Sequence, residues 1–316
     1  MRKQILIYLF FLLAITTHAQ NVKPGAYSKE ISFTTDNDAY LFNKNDAYYT
    51  NGFFFELRTA KEKNEKKIIQ AYEVGQMIYT PLDRKTTGPT DIDRPYCGYL
   101  FFQYKRTSFP KNNAVLQYTA GVGEVGMASG GEAVQNGYHK LLGYGRFTGW
   151  QYQVQNAFGA DVGATYAKTF LDHDSSWLKL MPVAQANLGM NFTNARLGTY
   201  LCIGMFENNS NSALWNAHVQ AGSKNIRRKY ELFFYWYPQV ILQGYNATVQ
   251  GGLLSKGTSA AVLAEIARWM FQENIGLCYA QGRWSTNIAY IYQTKEAVSQ
   301  TKAQRYVSAQ VSYRLH

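Results

Sequence analysis

After its first twenty residues the chain has no apolar run long enough to cross a bilayer as a helix, and its mean hydropathy is −0.31. A protein that spans a membrane with helices is excluded for that part of the chain. Cysteine is scarce. Cys97, Cys202 and Cys278 cannot all pair, and none has the spacing of a zinc or redox motif. They read as small packing residues, and a Cys202 to Cys278 bridge in an oxidising compartment stays open. Acidic residues are also few, 21 against 32 basic. The opening "MRKQILIYLFFLLAITTHAQ" has a basic start (Arg2, Lys3), a short apolar core and small residues near Ala19. Residues 1–20 therefore read as a secretory signal peptide, with residues 21–316 as the exported domain. Its removal leaves 30 basic against 21 acidic residues, a net charge of +9. That charge favours an anionic membrane surface or a phosphorylated lipid; nucleic acid is not expected as a partner of an exported chain with scattered basic residues.

Aromatics, in contrast, are abundant: 16% of residues, with 25 Tyr beside 26 Gly. This composition is familiar in transmembrane β-barrels. Alternation with period two recurs throughout. In residues 115–126, Leu116, Tyr118, Ala120 and Val122 oppose Gln117, Thr119, Gly121 and Gly123. Residues 182–192 and 306–315 repeat the pattern, with one greasy face and one small or polar face. The expected fold is all-β, a transmembrane antiparallel barrel of about twelve strands. The strands are expected near 27–36, 50–59, 67–79, 99–107, 114–125, 158–170, 180–192, 196–206, 228–245, 262–280, 283–295 and 304–315. Residues 60–67 read as a charged hairpin tip. The long connections at 37–49, 80–98 and 126–157 share one rim, facing outside the cell if both termini are periplasmic. A fourth, at 207–227, falls on the other rim, with no function apparent.

In the third long loop, Val134, Tyr138, Leu141 and Leu142 recur at helical spacing, which predicts a short helix with Gln135 and His139 one turn apart. A lone histidine is more often structural than catalytic. This one shares its rim with Asn37, Asp38, Asp46 and Thr50, which points to chemistry. On their own, Asn37, Asp38 and Asp46 read equally as turn residues. Asp93 and Arg94 read as an ion pair fixing a loop.

Four motifs in order resemble one family: "NDAY" (37–40), "YYTNG" (48–52), "DRPYCGYL" (93–100), and "VQNGYHKLLG" with "GWQYQVQNAFG" (134–159). Together they resemble the outer-membrane lipid A 3-O-deacylases. The resemblance implies a twelve-stranded outer-membrane barrel that removes the 3'-linked acyloxyacyl group of lipid A from lipopolysaccharide in the outer leaflet, with calcium as cofactor; the chain is expected to act as a monomer. It implies Asn37, Asp38, Thr50 and His139 as active-site residues, with Gln135 in support. One position departs: the family has an acidic residue six places after the histidine, where this chain has Gly145. Asp38 with Glu132, Asp46 or Asp36 is then the expected source of metal oxygens. Ester hydrolysis needs a base for water and positive charge for the oxyanion. Under this resemblance His139 is the base, calcium the Lewis acid, and Asn37 and Thr50 the hydrogen-bond donors, with water attacking directly and Thr50 orienting. The alternatives are a phospholipase on the same rim, and a non-enzymatic barrel, either a pore or an inactive homologue that has lost its acid at Gly145.

Overall fold

The computed structural model describes residues 27–41, 48–63, 66–111, 113–143, 145–171, 177–220, 228–255 and 260–315. The expected signal peptide lies outside them. Twelve strands form one closed antiparallel barrel: β1 (Lys29–Asn37), β2 (Tyr48–Lys63), β3 (Lys66–Thr80), β4 (Cys97–Ser108), β5 (Ala114–Val125), β6 (Ala157–Lys168), β7 (Leu178–Gly189), β8 (Phe192–Met205), β9 (Tyr230–Asn246), β10 (Trp269–Gln281), β11 (Trp284–Gln293) and β12 (Gln304–Leu315). Each strand pairs with its sequence neighbours, and β1 closes the barrel on β12. Closure leaves no sheet edge, the condition for strands to sit in hydrocarbon. No helix among the described residues is long and apolar enough to cross a membrane.

The alternation puts its greasy face outside. Tyr118, Val122, Phe102, Val74 and Phe55 are exposed on the outer wall, whereas Gln117, Thr119 and Gln103 line the lumen. Charges inside are chained to one another. Arg314 bonds Glu30 at 3.2 Å, Arg58 holds Glu30 (2.6 Å) and Glu56, and Lys105 bridges Glu56 and Glu73 at 2.7 Å each.

Several boundaries differ from expectation. The charged stretch at 60–67 is largely strand, because β2 runs to Lys63 and β3 starts at Lys66. β10 begins at Trp269, not 262. The alternating residues before it lie across the outer rim, where Val262 N–H donates to Tyr152 O (3.0 Å) and Ala264 N–H to Val249 O (3.0 Å). The three cysteines are buried free thiols, so no Cys202 to Cys278 bridge is present.

The connection after β8 folds into the barrel end. Glu231 accepts from Glu207 N–H (2.6 Å), Ala213 N–H (2.6 Å), the Ser212 hydroxyl (2.9 Å) and His218 Nε2 (2.6 Å). Lys67 Nζ donates to the carbonyls of Ser210 (2.7 Å) and Ala217 (2.5 Å), and Lys179 Nζ to that of Glu207 (2.7 Å). Asn209, Ser212, Ala217 and Val219 are fully buried. The segment 206–220 is therefore a plug at the barrel end where β1 starts and β12 finishes, its backbone polar groups satisfied by buried charges.

Candidate functional site on the outer wall

Successive residues of a strand face opposite sides. On β1, Ile31 and Phe33 point outward and Glu30, Ser32 and Asp36 inward, so Asn37 falls on the outward face. Asn51 sits directly opposite it on β2. Strict alternation would point Tyr49 outward as well and Thr50 inward. Instead the β2–β3 register shifts between Tyr49 and Asn51, a bulge that turns Tyr49 into the lumen, where its hydroxyl donates to Asp36 at 2.9 Å. Thr50 and Asn51 then share the outer face.

A helix, α1 (Gly131–Leu142), covers that face at the outer rim, against β3 and β4. Its start rests on Gly98, where an added Cβ would lie 2.1 Å from Ser129 Oγ and 2.9 Å from Gly131 Cα. Gln76 Nε2 also donates to Ser129 O at 2.6 Å. Ile78, Ile92, Tyr96, Phe147 and Trp150 pack beneath as a satellite core, partly covered by Val134. The predicted helix is present but turned differently: its buried residues include Gln135 and His139, and Leu141 is 71% exposed. An outward leucine suits a helix laid against a membrane-facing wall, and a buried amide and imidazole require partners.

They have them. The Gln135 amide lies 3.0 Å from His139 Nε2, and His139 Nδ1 lies 2.6 Å from the carbonyl oxygen of Gly145. Asn51 Nδ2 donates to Gln135 Oε1, Asn37 Nδ2 donates to Asn51 Oδ1, and Asn37 Oδ1 accepts from Ala39 N–H at 2.7 Å. Both ends of this chain are backbone groups, which fixes its direction. A backbone N–H only donates, so Asn37 must present its oxygen to Ala39. A carbonyl only accepts, so His139 must carry its proton on Nδ1. The imidazole is thus held with its Nε2 lone pair towards Gln135. Thr50 Oγ1 stands 3.3 Å from Ile78 O and 3.4 Å from Gln135 Oε1, so its proton is directed at acceptors. The His139 ring also meets Phe147, centroids 5.4 Å apart.

The structure thus brings together Asn37, Thr50, Gln135 and His139, with Asp38 next in the chain in a 3-10 turn at Asp38–Leu41 and buried. In that turn the Tyr40 hydroxyl lies 3.1 Å from Thr35 Oγ1, and burial raises its phenol above the ordinary tyrosine range. Glu132 is exposed in the first turn of α1. Asp36 faces the lumen, on the opposite side of β1 from Asn37, and so does not reach this site. Asp46 lies outside the described residues. Among the described residues no three His, Cys, Asp or Glu side chains cluster as a metal cage.

Asn51, the middle of the chain, was not singled out by sequence. Strand alternation alone would have separated it from Thr50, and only the bulge unites them. Asp93 and Arg94 do not pair with each other. Asp93 accepts from Tyr48 OH (2.5 Å), Leu82 N–H (3.0 Å) and the Thr301 hydroxyl (2.9 Å), while Arg94 donates to Glu296 (2.6 Å) and Thr248 (2.9 Å). Each still fixes loops, through partners far away in sequence.

A family model described as outer membrane protein LpxR matches residues 5–315. Among solved structures, LpxR from Salmonella typhimurium superposes with a TM-score of 0.72 at 16% identity, over 90% of this chain and 100% of that one. The translocator domain of autotransporter NalP from Neisseria meningitidis gives 0.43 at 9% identity, over 91% of this chain and 89% of that one. The beta domain of the Bordetella autotransporter Brka gives 0.43 at 10%, over 92% and 98%. No curated protein sequence matches significantly. With a closed barrel of twelve strands and a family match over nearly its whole length, the chain belongs to the LpxR family of outer-membrane β-barrel proteins.

Proposed function

We propose that this protein is a lipid A deacylase of the outer membrane, an ester hydrolase that removes the 3'-linked acyloxyacyl group with His139 as general base. The position of the site carries this reading: the amide and imidazole chain sits on the outer wall, directly above the lipid-facing side chains of β1 and β2. Phe33 and Phe55, ring centroids 4.8 Å apart, lie on the same face below Asn37, and Phe55 is 62% exposed. An acyl chain lying along this wall would lead its ester up to Asn37 and Asn51. A soluble substrate would gain nothing from that placement. The filled barrel end disfavours the pore reading.

The carbonyl of Gly145 keeps the His139 proton on Nδ1, leaving Nε2 to take the proton of an attacking water. In this structure the Gln135 amide occupies Nε2, so water gains access as that amide moves aside. The second amide protons of Asn37 and Asn51 are donors at the mouth of the site, the hydrogen bonds a developing oxyanion needs. We assign Thr50 an orienting part, since its hydroxyl proton is already directed at two acceptors.

The donor set suits calcium by its chemistry. Asp38, the Asn37 amide oxygen and the Thr50 hydroxyl are hard oxygen donors, the kind calcium takes in sets of six to eight. Asp38 is the charged ligand in this proposal, with Asp46 or Glu132 as a second. Bound calcium would polarise the ester carbonyl as a Lewis acid. Where the family has a carboxylate, this chain offers only the Gly145 backbone, so its calcium affinity belongs at the weak end, because ligand charge sets affinity.

The test is mass spectrometry of lipid A from cells with and without the protein, in calcium and in chelator, with glycerophospholipids assayed from the same preparation. Calcium-dependent loss of the 3'-linked acyl mass is the expected result. Release of fatty acid from phospholipids alone would replace this reading with a phospholipase. No hydrolysis of either class would leave a non-enzymatic barrel.

A further inference from the structure

Above the plug, the lumen holds a cavity of about 440 Å³, within the size range of small-molecule sites. Its wall is rich in amides and aromatic rings, among them Gln185, Asn194, Tyr99 and Tyr306. Four charged side chains line it, and three are matched. Lys105 bridges Glu56 and Glu73. Glu296 is held by Arg94 (2.6 Å) and Asn246 (2.8 Å). Asp161 accepts from the backbone of Asn191 (2.9 Å) and Phe192 (3.0 Å) and from the Asn191 amide (2.7 Å).

Arg196 is the exception. Among the described residues it makes no ion pair, and its hydrogen bond is from Nε to Asn194 Oδ1 at 3.2 Å. Arg94 is the contrast within the same barrel: fully buried, and provided with a carboxylate. A guanidinium with no carboxylate in contact has its fork of donors available, and that fork matches an oxyanion. Gln185 stands directly opposite Arg196 in the β7–β8 register and faces the same cavity, and its amide has no hydrogen bond among the described residues. A guanidinium, a neighbouring unused amide and aromatic walls form a recognition surface for a polar ring that carries one negative group.

We propose that the lumen cavity binds a hydroxylated ring bearing a single oxyanion, a sugar carboxylate or a sugar phosphate, with Arg196 as its anchor and Gln185 as a second contact. The cavity is far larger than an inorganic ion needs, and its amides offer both donors and acceptors to ring hydroxyls. The plug below makes it a chamber and not a transit route.

The test is calorimetric titration of the full chain, folded in a zwitterionic detergent, with glucuronate, glucose 1-phosphate, neutral glucose and inorganic phosphate. Saturable binding of at least one sugar anion is expected, at least tenfold tighter than that of glucose or inorganic phosphate. Arg196→Gln should weaken it at least tenfold, and Gln185→Ala several-fold, with the heat-modifiable gel shift of a folded barrel retained. His139→Ala should bind as the parent does, which separates this site from the deacylase reading. Absence of binding by both sugar anions would overturn the proposal. So would equal affinity in Arg196→Gln, or inorganic phosphate binding as tightly as the sugar phosphate.

Discussion

Strands β1 and β2 carry two kinds of polar chemistry on their two faces. Inside, Glu30, Glu56 and Arg58 form ion pairs that extend to Arg314 and Lys105. Outside, a few residues away, Asn37, Asn51, Gln135 and His139 form a hydrogen-bonded chain of amides and an imidazole. The difference follows from what each face meets. A lumen can hold charge and pairs most of it here, whereas a wall against hydrocarbon penalises charge and retains groups that satisfy each other by hydrogen bonds. The carboxylate of the outer site, Asp38, is placed past the end of β1, beyond the lipid-facing ladder.

This comparison can be broken or sharpened by substitution. The largest effect belongs to His139→Ala, which should cut deacylation about 10²–10⁴-fold while the barrel still folds. Loss of the fold in place of turnover would make the imidazole a packing group. On the other face, Arg58→Met breaks the link between Glu30 and Glu56, leaving them only Arg314 and Lys105, and should cost about 3 kcal/mol of stability in denaturant titrations. Turnover per folded molecule should be kept, and a matching fall in turnover would mean that the two faces are coupled through the strand. Asn51→Leu should be milder, about 1–3 kcal/mol, because it leaves the Gln135 oxygen and the Asn37 amide without their partner. Its signature is a lowered kcat with little change in KM. The smallest is a gain. An added Cβ at Gly145 meets nothing within 4 Å, so Gly145→Glu should be accommodated and should tighten calcium about tenfold, about 1.4 kcal/mol. Calorimetry that finds no change would show that the site draws its charge from elsewhere.

Much of the barrel was legible because its signal is repeated. Each strand pairs a greasy and a polar face, and twelve repetitions average out the errors of any one. The misplaced start of β10 shows the limit: the residues before Trp269 alternate too, but they spend their backbone bonds on the outer loops. The site was legible in its residue types. Asn37, Thr50, Gln135 and His139 were all singled out, and the structure links them. What the sequence concealed was geometry: a single bulge at Thr50 turns Tyr49 inward and sets Thr50 beside Asn51 on the outer wall. The helix hid its orientation for a related reason, because apolar spacing predicts that Leu141 is buried only if the apolar side faces protein.

The plug at the barrel end where β1 starts bears on how the chain reaches this state. Lys67 on β3 reaches Ala217, which is 150 positions away, and Gln220 N–H donates to Tyr27 O at 2.7 Å, just ahead of β1. Those bonds join the first part of the chain to the segment between β8 and β9, and β1 must also find β12. Contacts so distant in sequence form late and slowly. Sealing the barrel and filling its end therefore draw on the same kind of long-range contact, and both depend on the first strands being in place.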